Sequence, residues 1–157
     1  MKRIMMIVGV LIVLGAAAFF GLAFKSRSGA APGLIDGTLA PCPDSPNCVI
    51  SEPGARADQS VVSLPASSWG ALPSVIANLG GAIVVQEESY IAATFRTPLM
   101  GFVDDVEFRR TGDDAESAAE NEGAENVVHV RSASRVGRSD FGANRARVEA
   151  IRSALNP

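Results

Sequence analysis

The chain is poor in the residues that carry most enzyme chemistry. It has one His, one Trp, one Tyr and two Cys, and no Lys after Lys25. His129 is the only base available to a serine nucleophile, and in an extended strand it has the opposite parity to Ser132 and Ser134. A Ser-His-Asp triad therefore has little support. Two cysteines and one histidine fall short of a closed zinc site, and no Gly-rich phosphate loop, paired metal motif or nucleotide fingerprint is present. No metal and no cofactor are expected.

Basic residues are also scarce in the body of the chain. Lys2, Arg3, Lys25 and Arg27 flank an N-terminal apolar segment, and without them 10 basic residues face 17 acidic ones from Gly29 onward, a net of −7. Such a body lacks the cationic footprint that supplies most nucleic-acid affinity, so nucleic acid is excluded as a partner.

What is present begins with Ile4 to Phe24, 21 residues without a charge. As a helix they would span about 31 Å, close to the hydrocarbon thickness of a bilayer. Residues 1–25 are therefore expected to be a single-pass anchor, with the membrane as partner through residues 4–24. The competing reading is a cleaved signal peptide with Ala16-Ala17-Ala18 as its A-x-A site. Cleavage there would leave Phe19, Phe20, Leu22 and Phe24 at a free terminus, which water disfavours. Pro41 before Cys42 argues against a lipoprotein. Two basic residues on each side leave the positive-inside rule undecided.

The cysteines bear on orientation. In Cys42-Pro43-Asp44-Ser45-Pro46-Asn47-Cys48, the Ser-Pro-Asn-Cys tetrad fits a turn with Pro second and Asn third. Such a turn can bring Cys42 and Cys48 together, and a bridge closing this short loop stabilises by about 2.4 kcal/mol in the chain-entropy model. A disulfide persists in an oxidising compartment, which places the body in a periplasm, with the anchor in a bacterial inner membrane. The alternative is two unpaired thiols in a reducing compartment.

Ser26 to Leu39 is rich in Gly, Ser, Ala and Pro and reads as a linker, 26–38, ahead of a domain over 39–157. Ile50 to Ala66 shows no sustained period. Trp69, Leu72, Val75, Ile76 and Leu79 recur at helical spacing until Gly80-Gly81, with the regular helix starting near Ser67 or at Pro73. Ala82–Glu87, Tyr90–Arg96, Phe102–Arg110 and Asn126–Ser132 then alternate as strands with short gaps. An acid-rich run over 111–125 reads as a solvated loop. A last helix runs from about Asp140 to Leu155, capped by Asp140 or Ser139. The expected fold is α+β: one small domain, an antiparallel meander of about four strands packed with two helices, one before the sheet and one C-terminal.

Arg131 to Arg147 holds five arginines in seventeen residues. That density marks either a buried ion-pair network or an anion site. Strand alternation puts Asp104 beside Phe102, Val106 and Phe108 on the core face, where it needs an arginine from this run unless the register slips by one residue. Asp105, Glu107 and Arg109 take the other face. On the last helix, Phe141, Val148, Ile151 and Leu155 share a stripe with Asn144 in its middle, so Asn144 should face inward.

These segments resemble a known family. CPDSPNCVISE, FVDDVEF and VRSASRVGRSDFGANRARVEAIR, in that order, are similar to the bacterial and plastid family catalogued as domain of unknown function 1499. The likeness runs from about Leu39 to Leu155. Its polar signature maps onto Cys42, Asp44, Asn47, Cys48, Asp104, Asp105, Glu107, Arg131, Ser132, Ser134, Arg135, Gly137, Asp140, Gly142, Asn144 and Arg145. Ile50 and Arg138 depart from the pattern, standing where a small polar residue and an aromatic are expected. The family implies no activity.

The functional expectation is a membrane-anchored module that binds an anionic ligand or an envelope protein. Its candidate binding residues are Asp105, Glu107, Arg131, Ser132, Ser134, Arg135, Arg138 and Arg145, with Asp104, Asp140 and Asn144 architectural. One alternative is an envelope hydrolase using Asp104, Asp105 or Glu107 with the arginines; another is a purely structural polar lattice.

Overall fold

A computed structural model describes residues 1–98, 100–112 and 126–155 of the chain. Most of the acidic run, residues 113–125, lies outside the described residues.

Helix α1, Lys2–Arg27, is long and apolar enough to cross a membrane, and nearly all of it is exposed. Its last turns rest on the domain. The Ser26 hydroxyl donates to the Ala23 carbonyl at 2.7 Å and accepts the Val103 N–H at 3.2 Å. Further back along the helix, Phe19 meets Phe102 edge-on at 5.1 Å between ring centroids.

Strands β1, Leu34–Ile35, and β2, Thr38–Leu39, form a separate hairpin. The main sheet contains β3 (Cys48–Ile50), β4 (Leu64–Pro65), β5 (Ala82–Gln86), β6 (Tyr90–Arg96), β7 (Val103–Arg110) and β8 (Val127–Ser134). Its order is β3-β8-β7-β6-β5, every pair antiparallel, with β4 also beside β8. The sequence pattern foresaw the β5-to-β8 meander but not the four other strands. Each of those is two or three residues long, too short to display a period of two.

A 3-10 turn over Ala66–Ala71 leads into α2, Leu72–Asn78, with Pro73 in its first turn. Proline is accommodated there because the first turn's N–H groups have no intrahelical acceptor. The C-terminal helix α3, Ala143–Leu155, starts later than the apolar stripe implies. Phe141 consequently lies outside the helix, fully exposed and with a left-handed φ of 53°, and does not belong to the core.

The central strands of the sheet are buried on both faces. Helices α2 and α3 cover one, where Leu72, Ile76, Val148 and Ile151 pack on Val106, Phe108, Val128 and Val130. The segment read as a spacer crosses the other: Leu39 packs with Ile50, Tyr90 and Ala92, and Ala31 lies against them. This second cover explains why β6 is buried at six consecutive positions instead of alternating.

Candidate functional site

The central strands β7 and β8 set the polar residues in register. Glu107 lies opposite Arg131, Arg109 opposite His129, and Asp105 opposite Ala133, with Arg135 just beyond the end of β8. The odd-numbered side chains of β7 point to the face crossed by residues 29–41. A sheet face carrying this much charge can be buried only if each carboxylate finds donors.

Each carboxylate on this face does. Glu107 has no exposed surface; its Oε2 accepts Arg131 Nη1 at 2.9 Å, and its Oε1 accepts the Tyr90 hydroxyl at 2.8 Å and the Gly33 N–H at 2.9 Å. Arg131 Nε is itself buried without a partner. Asp105 is held by both prongs of Arg135, Nε at 2.8 Å and Nη2 at 2.6 Å. A third nitrogen of Arg135 donates to the Ser26 carbonyl at 3.2 Å, so the same guanidinium ties the sheet to the end of α1. Glu52, the residue after the CVIS segment, takes Arg109 in a two-pronged bond at 2.8 and 2.8 Å and also accepts the Leu39 N–H at 3.0 Å.

The opposite face has its own network. Asp104 accepts Arg147 Nη2 at 2.6 Å, and the guanidinium lies 4.9 Å from the Phe95 ring centroid. Asn144 is fully buried. Its Oδ1 accepts Ser132 Oγ at 2.6 Å and Arg147 Nη1 at 2.7 Å, while its Nδ2 is shared among the Asn47 carbonyl, Ser134 Oγ and Asp140 Oδ2. Asp140 also accepts the N–H groups of Gly142 and Asn144, which makes it the entry cap of α3. Asn47 extends the network by donating to the Gly137 carbonyl at 3.0 Å.

Burial and bonding pull these acidities in opposite directions. Burial alone pushes the Glu52 carboxyl up, but the Arg109 hydrogen bond, the Leu39 N–H and nearby positive charge outweigh it and hold Glu52 below the usual range. Burial likewise works to raise Asp140, and its bonds from Asn144 and Gly142 more than offset that, leaving it lowered. Tyr90 is pushed up by burial and by its bond to Glu107. His129 is pushed down chiefly by burial, despite Glu52 nearby. Its Nδ1 lies 3.6 Å from Glu52 Oε2 but nearer the Ser51 carbonyl, at 3.2 Å, so at neutral pH the contact is a neutral imidazole beside a carboxylate rather than an ion pair.

The arginine run thus divides. Arg131, Arg135 and Arg147 end on buried carboxylates, and Arg145 donates to the carbonyls of Ser60 at 2.9 Å and Asp58 at 2.8 Å. Arg131, Arg135 and Arg145 therefore serve internal acceptors instead of an open anion site. Ser132 and Ser134 are taken up by Asn144, and Asp105 and Glu107 by arginine, which leaves no free carboxylate pair for acid/base work among them. Arg138 differs: it is exposed and has no partner among the described residues. Sequence reasoning left Arg147, Arg109, Glu52 and Tyr90 out of the candidate set. The parity that put Arg109 with Asp105 and Glu107 was the available signal for one of them.

A disulfide joins Cys42 and Cys48, with their Cα atoms 5.7 Å apart. Among the described residues no group of three or more His, Cys, Asp or Glu is placed to hold a metal ion. Next to Gly137 and Ser139, the chain neighbours of Arg138, the surface opens into a hollow of about 300 Å³. Phe19 and Leu22 of α1, Phe102, and Val136 and Phe141 of the loop before α3 form its walls.

Comparison with curated proteins and with solved structures returns no match. Residues 38–155, three quarters of the chain and all of the lattice except Gly33 and the Ser26 contact, match the family described as "Protein of unknown function (DUF1499)", and the chain belongs to that family.

Proposed function

We propose that the chain is a single-pass, membrane-anchored binding module whose body lies on the periplasmic side of a bacterial inner membrane. Its arginine–carboxylate lattice maintains the fold, and its contact surface for an anionic partner is the rim around Arg138. One observation carries this reading: four of the five arginines in the 131–147 run serve internal acceptors, while Arg138 faces solvent unpaired. An unpaired guanidinium on an acidic body is a local site for carboxylate or phosphate recognition. The Cys42–Cys48 bridge supports an oxidising compartment, and the length and apolarity of α1 support an anchor.

The test is binding of the full chain, reconstituted in nanodiscs, to envelope fractions and to anionic vesicles across a salt series. Arg138→Ala should weaken binding severalfold at low salt, and the effect should fade as salt screens the charge. Binding that is absent, or equally reduced by Arg145→Ala, would refute the assignment. Protease accessibility and thiol counting in intact cells and spheroplasts check the compartment.

A further inference from the structure

The hollow beside Arg138 has an unusual wall. Phe19 and Leu22 belong to the apolar stretch of α1, and they line the hollow together with Phe102, which Phe19 touches, and Phe141 of the domain. Phe19 precedes Lys25 by six residues, so on a helix it lies about 9 Å below the first charged residue that follows the span. A domain surface in contact with Phe19 therefore reaches past the headgroup level. Elements that lie in a membrane interface bury their apolar faces to about this depth, 5–10 Å.

Phe141 breaks two local rules in the same place. Its side chain is fully exposed, and its φ of 53° is a conformation that a bulky aromatic rarely adopts. Gly142 follows at φ 83°, and Asp140 holds the turn by accepting the Gly142 and Asn144 N–H groups. A ring held in a strained backbone and aimed at solvent is expected to have a partner outside the folded body. The charged groups around the hollow point to the same occupant. Asp104 and Asp140 also line it, but both are occupied, by Arg147 and by Asn144 with Gly142, whereas Arg138, which does not line the hollow itself, is exposed and unpaired at its rim, between the lining residues Gly137 and Ser139 in the chain.

We infer that this hollow holds an acyl chain of an anionic phospholipid of the same membrane, with Phe141 inserted beside it and Arg138 on its phosphate. The volume of about 300 Å³ suits a length of one chain and not a whole lipid. The inference rests on the proposal that α1 remains in the membrane, and it identifies the anionic partner of the Arg138 rim.

The described residues contain no free cysteine, so Phe141→Cys provides a single reporter thiol for a nitroxide. In nanodiscs of phosphatidylcholine and phosphatidylglycerol, the label on the full chain should be shielded from an aqueous nickel chelate and accessible to oxygen. Native mass spectrometry of the full chain released from the same discs should show preferential retention of phosphatidylglycerol. Arg138→Gln should cut that preference about fivefold, the size of one basic side chain's attraction to an anionic surface. Phe141→Asn, which tolerates the left-handed backbone, should reduce retention of both lipids. Equal retention of the two lipids by wild type and variants would overturn the inference, as would a water-exposed label on an intact chain. Recovery of a chain cleaved after Ala18 would overturn the anchor and the lipid site together, so the two failures are distinguishable.

Discussion

Removing one member of the Glu107–Arg131 pair should destabilise the protein far more than removing both. Arg131→Met leaves the Glu107 carboxylate, which has no exposed surface, with only the Tyr90 hydroxyl and the Gly33 N–H as donors. Uncompensated burial of a charge costs about 3–5 kcal/mol. Glu107→Gln preserves an acceptor for Tyr90 and Gly33 but turns an amide donor toward Arg131 Nη1 and strands the guanidinium, whose side chain is 7% exposed. Its cost should be similar. In the double variant no charge remains, and the residual penalty is an unpaired amide N–H, about 1–2 kcal/mol. The coupling between the sites is then at least about 4 kcal/mol. Denaturant unfolding of the full chain in mild detergent, followed by Trp69 fluorescence, measures all three. Each single variant should lower Tm by about 10 °C or more at the few degrees per kcal/mol typical of a domain this size. Arg56→Ala is the control, since the Arg56–Asp58 pair is solvent-exposed and should contribute little. Costs that simply add, or single variants within about 1 kcal/mol of wild type, would refute the claim that the lattice holds the fold.

Four further outcomes are expected. His129 is lowered from its ordinary value of 6.5, so the unfolded chain takes up a proton first as pH falls; stability should decline from about pH 6.5 downward, and His129→Gln should flatten that part of a pH series of unfolding midpoints. Glu52 and Asp140 are lowered too, and their contribution is present above the ordinary carboxylate range and lost as pH falls through their folded values, a separate, more acidic phase that His129→Gln should leave in place. Gly81→Ala would set a methyl 2.6 Å from Phe95 Cζ and 2.7 Å from Ile76 Cγ2, and should cost about 1–3 kcal/mol in denaturant unfolding through overpacking between α2 and β6. Reducing Cys42–Cys48 should lower stability by about 2 kcal/mol, measured with and without reductant, and an unchanged midpoint would mean the loop is held by Gln59, which donates to the Pro43 carbonyl at 2.7 Å.

Much of the lattice could be read one face at a time. Alternation along β7 separated Asp104 from Asp105 and Glu107, and the helical period turned Asn144 inward, because both depend on geometry repeated every two or 3.6 residues. Pairing was less legible. Arg135 and Arg147 are four and sixteen residues from Arg131, yet they reach opposite faces of one sheet, a consequence of chain path and not of spacing. Phe141 falls outside the helix for a related reason: the helical period does not extend across Gly142 to Phe141, two residues before the helix begins.

By itself the sequence determined the apolar span, the meander from β5 to β8, the disulfide-competent turn and the need of Asp104 for a counter-charge. These follow from chain length, local period and the cost of burying an unpaired carboxylate. Only the tertiary structure decided that residues 29–41 roof the second face of the sheet, that Arg131, Arg135 and Arg147 each meet a different carboxylate, and that Arg138 is left over. The physical reason is that a guanidinium's partner depends on which backbone segments converge within about 3 Å of it, and that convergence is set by long-range packing, on which local periodicity carries no information.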